Sequence, residues 1–128
     1  MSKKTDEKLL TDVELELISI LWKMGEGSVN DVIFLLPPER ELAYTSVSTI
    51  LRILEQKKIL KTRKEGRGHV YIPLLTKDEY EKKALNHVVE KVFESPMALV
   101  KQLLDSNKLT EKELEEIKAL FGKSGMRK

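Results

Sequence analysis

From Asp12 to Met24, apolar side chains stand at Val13, Leu15, Leu17, Ile18, Ile20, Leu21 and Trp22. Ile18, Leu21 and Trp22 share one face at three- and four-residue spacing. The pattern predicts a first helix with Trp22 in the core, ended by Gly25 and Gly27. A second helix over 29–36 is expected to bury Val32, Ile33, Leu35 and Leu36 and to stop at Pro37-Pro38. After a polar loop, a third helix runs from about Tyr44 to Lys57, its core stripe made by Val47, Ile50, Leu51 and Leu54. The rhythm then shortens. Leu60, Thr62 and Lys64 alternate with Lys61, Arg63 and Glu65, and Val70 and Ile72 alternate with Tyr71, which predicts paired strands over 59–64 and 69–72. Gly66 and Gly68 are the expected positive-φ residues of the reversal, and Pro73 closes the second strand. Beyond Leu75 the spacing is helical again, over about 77–93, 96–105 and 111–121.

Local signals mark five of the six helix starts. Thr11-Asp12-Val13-Glu14, Thr76-Lys77-Asp78-Glu79 and Thr110-Glu111-Lys112-Glu113 have the spacing of a capping box, Ser28-Val29-Asn30-Asp31 is its aspartate version, and Ser95-Pro96 puts a cap residue before proline. The third helix is written by periodicity alone. The fold expected is mainly α: a winged helix-turn-helix (three helices plus a small β-hairpin wing) over 1–75, followed by a three-helix dimerisation lobe over 76–128.

That lobe is too apolar for its size. Three short helices cannot hide this much apolar surface among themselves. Docking onto the first lobe would cover it, but a second copy is the stronger expectation, because the lobe carries more apolar surface than such packing needs. The residues expected at the homodimer interface are Tyr80, Leu85, Val88, Val92, Leu99, Leu103, Leu104, Leu114, Ile117 and Phe121.

Composition narrows the classes. Of 128 residues 41% are hydrophobic and 34% charged, so the chain is globular rather than disordered. The absence of cysteine removes disulfides, thiolate metal sites and thiol catalysis. His69 and His87 lie far apart and lack neighbouring ligands, so neither a metal nor another cofactor is expected. Nor does a nucleophile, paired-carboxylate or phosphate-loop constellation appear, so the chain is not read as an enzyme. The N-terminal segment has no apolar secretory core and no run is long enough to span a bilayer, which makes the expected location cytoplasmic, with no membrane partner.

Net charge is only +2, yet seven Lys or Arg between Arg52 and Arg67 face two acids, a local +5. Opposite the core stripe, the third helix presents Thr45, Ser46, Ser48, Thr49 and Arg52. Short hydroxyls let a helix approach base edges, and Arg can bind guanine through two hydrogen bonds, so these are the base-readout candidates. Tyr44, Lys61, Arg63, Lys64, Arg67 and His69 are the candidates for phosphate contact. Ile53, between the two faces, is expected to pack against the wing.

With these elements placed, the chain resembles the penicillinase-repressor family of bacterial regulators, the BlaI/MecI/CopY group. The likeness is carried by LTDVELELISILWKMG, AYTSVSTILRIL, KEGRGHVYIPL and SPMALVKQLLDSNKLTEKELEEIKAL, in one order over about residues 10–121. It implies a homodimeric repressor that binds an inverted-repeat operator in double-stranded DNA. In β-lactam-responsive members a sensor-protease leads to cleavage at an Asn-Phe bond in the second tail helix. Gln102-Leu103 stand at that place here, which makes them the candidate proteolytic-switch position and a sensor-protease an implied partner. The chain departs from the family pattern at Ser48 (usually Lys), at Arg52-Ile53 (usually Asn-Arg) and at Lys58, where a glycine normally ends the recognition helix. The paired Cys-x-Cys motifs of the copper-responsive branch are missing. A different class of reading stays open: a winged-helix protein–protein interaction module without sequence-specific DNA binding.

Overall fold

The computed structural model describes residues 9–123, with side chains described as far as Leu120. Of the N-terminal segment read above as lacking a secretory core, residues 1–8 lie outside the described residues. Among the described residues, six helices and one hairpin follow in order: α1 (Asp12–Met24), α2 (Val29–Leu35), α3 (Tyr44–Gln56), β1 (Leu60–Glu65), β2 (Gly68–Pro73), α4 (Lys77–Lys91), α5 (Pro96–Asp105) and α6 (Glu111–Lys123). The chain divides into two compact units, one ending at Ala84 and one beginning at Leu85. The architecture is the expected mainly helical one with a two-stranded antiparallel wing.

The caps form as written. Thr11 Oγ1 accepts the Glu14 N–H at 3.1 Å while Glu14 Oε1 accepts the Thr11 N–H at 3.0 Å. Reciprocal pairs also join Ser28 with Asp31, Thr76 with Glu79, and Thr110 with Glu113. Ser95 caps α5 by accepting the Ala98 N–H at 3.1 Å, ahead of Pro96. Each cap satisfies amide groups that a helix start leaves free. Helix α3 has no side-chain cap, so packing must hold its start.

In the first unit Leu17, Ile18 and Leu21 of α1, Val29 and Val32 of α2, and Val47, Leu51 and Leu54 of α3 close on Leu60 and Tyr71 of the hairpin. Trp22 and Ile50 pack on the edge of this core. The Trp22 indole donates to the Leu75 carbonyl at 2.8 Å, and its ring meets Tyr80 at 6.1 Å between centroids. One expectation fails here. Leu35 is exposed, because α2 is only seven residues long and its inward stripe runs through Val29, Val32, Ile33 and Leu36, with Leu35 at the stripe's far edge. Its neighbour Phe34 is 85% exposed. Ile53, expected against the wing, is 38% exposed and lies outside the core cluster.

The hairpin pairs Leu60 with Pro73 through Glu65 with Gly68. Its two-residue turn needs positive φ only at Gly66 (φ 62°), as a type II′ reversal does at its first central residue. Gly68 is an ordinary strand residue, contrary to expectation. Gly27 adds a bridge to Tyr71 at the other edge of β2. A Cβ on Gly27 would stand 2.8 Å from the flexible end of Met24 at Cε and 3.2 Å from Asp31 Cβ, so any side chain here would require Met24 to move aside.

Lys58 takes the left-handed conformation, φ 67°. The Ile59 N–H returns to the Leu54 carbonyl and the Lys58 N–H to the Glu55 carbonyl, both at 2.9 Å, which is a Schellman ending. A lysine pays steric strain there that glycine does not. Lys58→Gly is expected to raise stability by about 1 kcal/mol, read as a higher urea midpoint with unchanged slope; a lower midpoint would contradict the strain.

Glu14 is the one buried charged side chain among the described residues, 7% exposed. Burial pushes its carboxyl up, but the Lys57 ammonium at 2.8 Å and the Thr11 amide outweigh this and hold it below 4.5. Its stabilising effect is therefore present above pH 4.5 and fades as acid protonates it in the fold. Glu14→Gln should lower stability by about 1–3 kcal/mol near neutral pH, with the gap to wild type closing below pH 4.5. Unfolding of both proteins across that range checks it; a gap independent of pH would show that the charge is irrelevant.

Candidate nucleic-acid interface

Helix α3 is oriented by its apolar stripe. With Val47, Leu51 and Leu54 fully buried, Thr45, Ser46, Thr49 and Arg52 must face solvent, and all four are exposed. Ser48 is half-buried and accepts a hydrogen bond from Arg52 Nη2 at 3.3 Å. Thr45, Ser46, Thr49 and Ile50 line a shallow open recess of about 330 Å³. The five expected base-readout residues thus share one surface of one helix. Tyr44, half exposed, stands at the start of that helix.

The hairpin stands beside this surface. Thr62 Oγ1 donates to Glu55 Oε2 of α3 at 3.1 Å, which ties the inner face of β1 to the helix. Tyr71 is buried on that face, and its hydroxyl is pushed up first by burial and then by the Glu55 carboxylate. Strand alternation puts Lys64 and its cross-strand partner His69 on the same face, further out. Both are exposed, as are Lys61 and, in the turn, Arg67.

Not every cation of the segment is available. Lys57 is bound to Glu14, and Arg63 is held between Glu26 and Glu65, at 2.9 and 3.0 Å. Arg63 was expected on phosphate, but here its charge is already answered by two carboxylates. Glu26 lies 37 residues away in sequence, in the turn after α1. No local pattern marks such a partner, and sequence reasoning missed it.

In the second unit none of the described residues is buried. Leu85 is 52% and Val92 68% exposed, and Leu104 is also exposed, whereas Val88, Leu99, Leu103, Leu114 and Ile117 are half-buried. Met97, Val100 and Leu120 add further exposed apolar surface. Tyr80, expected at the dimer interface, is instead spent in the first unit. It is 8% exposed, stacks near Trp22, and accepts the Leu10 N–H on its hydroxyl at 3.1 Å. The side chain of Phe121 lies outside those described. Gln102 is exposed and Leu103 half-buried, both within α5. Among the described residues no His, Asp and Glu side chains group as a metal site, and no helix is long and apolar enough to cross a membrane.

Comparison with known proteins agrees with this layout. The sequence profile of the penicillinase repressor family matches residues 10–123. An uncharacterized 16.5 kDa protein from the ptsI 3′ region of Latilactobacillus sakei is 29% identical over 126 residues, covering 94% of this chain and 82% of that protein. The penicillinase repressor of Bacillus licheniformis is 26% identical over 109 residues, covering 84% of this chain and 85% of its own. Among solved structures, the solution structure of the DNA-binding domain of the repressor BlaI is similar, with 32% identity and a TM-score of 0.50, over 56% of this chain and 87% of that one.

Proposed function

The chain belongs to the penicillinase repressor family, and on that premise we propose that it represses transcription as a homodimer seated on an inverted-repeat operator. The observation that carries this reading is the outward face of α3, where Thr45, Ser46, Ser48, Thr49 and Arg52 gather beside a basic hairpin. Each protomer lays α3 in a major groove, with Arg52 and the hydroxyls on base edges. Tyr44, Lys61, Lys64, Arg67 and His69 approach the flanking phosphates.

The first unit reads DNA and the second joins two copies, setting the separation of the half-sites. Leu85, Val88, Val92, Leu99, Leu103, Leu104, Leu114 and Ile117 supply the apolar surface that a second copy covers. The repressor works in the cytoplasm. A sensor-protease cutting at Gln102-Leu103 would need α5 to unwind locally, and the cut would sever α6 from the interface.

Selection of fragments from random duplex DNA by the purified protein, followed by footprinting, tests the reading. A protected inverted repeat with half-sites about one helical turn apart is expected. Recovery of unrelated fragments without a footprint would sink it and favour a winged helix that binds proteins.

A further inference from the structure

Arg63 is gripped from two segments. Its Nη1 and Nη2 donate to Glu26 Oε1 and Oε2 at 3.2 and 2.9 Å, and Nη2 also donates to Glu65 Oε1 at 3.0 Å. The fork-to-fork arrangement with Glu26 is the form in which an arginine–carboxylate pair fixes direction as well as attraction. Lys61, Lys64 and Arg67 make no ion pair with any described residue.

Glu26 sits next to Gly27, whose backbone exchanges two hydrogen bonds with Tyr71 of β2, at 3.1 and 2.8 Å. The α1–α2 turn therefore holds both strands of the wing. Gly27 takes β2 through the backbone and Glu26 takes β1 through Arg63, whose cross-strand partner Val70 adjoins Tyr71.

We propose that Arg63 is a positioning residue and not a phosphate contact: with Glu26 it clamps the wing to the α1–α2 turn and so aims Lys61, Lys64 and Arg67 at the DNA backbone. This rests on the DNA-binding reading above. Together with two carboxylates, the guanidinium forms a group of net charge −1, which offers a phosphate no attraction. Moving it onto DNA would break three hydrogen bonds, whereas no described ion pair holds Lys64 back. An isolated exposed ion pair contributes little because ordering two long side chains costs entropy. Here the neighbouring backbone bridge has already ordered the turn, so less entropy is lost in closing the clamp.

The test uses a duplex recovered by selection on the wild-type protein, with affinity measured over a range of salt concentrations. Arg63→Ala and Glu26→Ala should each weaken binding about five- to tenfold, and the double variant no more than Arg63→Ala alone, since each breaks the Arg63–Glu26 clamp. The slope of log affinity against log salt should stay at the wild-type value for all three. Lys64→Ala, which removes a phosphate contact, should flatten it by about one per protomer. Glu26→Gln, which keeps the shape and one acceptor, should give a smaller loss than Glu26→Ala. The proposal is overturned if Arg63→Ala flattens the slope as Lys64→Ala does, if Glu26→Ala tightens binding by freeing Arg63, or if the two losses add. Salt-sensitive wild-type binding separates these outcomes from failure of the DNA reading; its absence overturns both.

Discussion

Aspartate at both Leu85 and Val92 is expected to turn the proposed dimer into a monomer. The two positions are seven residues apart, Leu85 within α4 and Val92 directly after its last residue, and both are more than half exposed in a single protomer. If the chain worked alone, placing a charge there would change stability by no more than about 0.5 kcal/mol. In a two-fold dimer each substitution occurs twice, and every new carboxylate would lose water in an apolar contact. The dimer dissociation constant should therefore rise at least about a hundredfold, which is about 2.7 kcal/mol. Operator affinity should fall by a similar factor, because two half-sites bound by unlinked protomers lose the gain of effective concentration. Sedimentation equilibrium and footprinting read the two effects. A variant that keeps the wild-type mass and footprint would place the interface elsewhere.

The second large effect is that of salt. In the proposed dimer, Lys61, Lys64 and Arg67 of two protomers would make about six phosphate contacts. Each contact releases condensed counterions, so affinity should drop about a thousandfold between about 50 and 200 mM salt. Within this response the two surfaces divide the work. Arg52→Ala should cost about 1–3 kcal/mol on the selected operator and much less on random DNA, since a base contact is lost. Lys64→Ala should weaken both duplexes alike. Filter binding on the two duplexes over a salt series distinguishes them, and equal losses of specificity from Arg52→Ala and Lys64→Ala would refute the assignment.

Much of the fold was legible because its signals are short. A capping box is complete within four residues, and Thr11-Glu14, Ser28-Asp31, Thr76-Glu79 and Thr110-Glu113 all close as their spacing requires. The stripe of Val47, Ile50, Leu51 and Leu54 set the outward side of α3 before any neighbour was placed, and with it the group Thr45, Ser46, Thr49 and Arg52. Lys58 was visible only through the family resemblance, in which a glycine normally ends the recognition helix. Periodicity worked less well where an element is short or lies between environments. Leu35 fits a helical stripe, yet α2 ends on it and leaves it exposed.

The sequence by itself therefore determined where the helices start, which face of α3 is polar, and that the chain after Leu75 carries more apolar surface than it can bury. Those properties depend on hydrogen bonds spanning three or four residues and on side-chain periodicity along one element. Only the tertiary structure decided how long-range partners are used. It took Tyr80 into the first unit against Trp22, bridged Gly27 to Tyr71, and gave Arg63 to a glutamate 37 residues away. The physical reason is that a charge or an aromatic ring has the same signature in sequence whether it is free or engaged. Its partner is fixed by the packing of distant segments, and that packing separates the wing's free cations from the one that holds the wing in place.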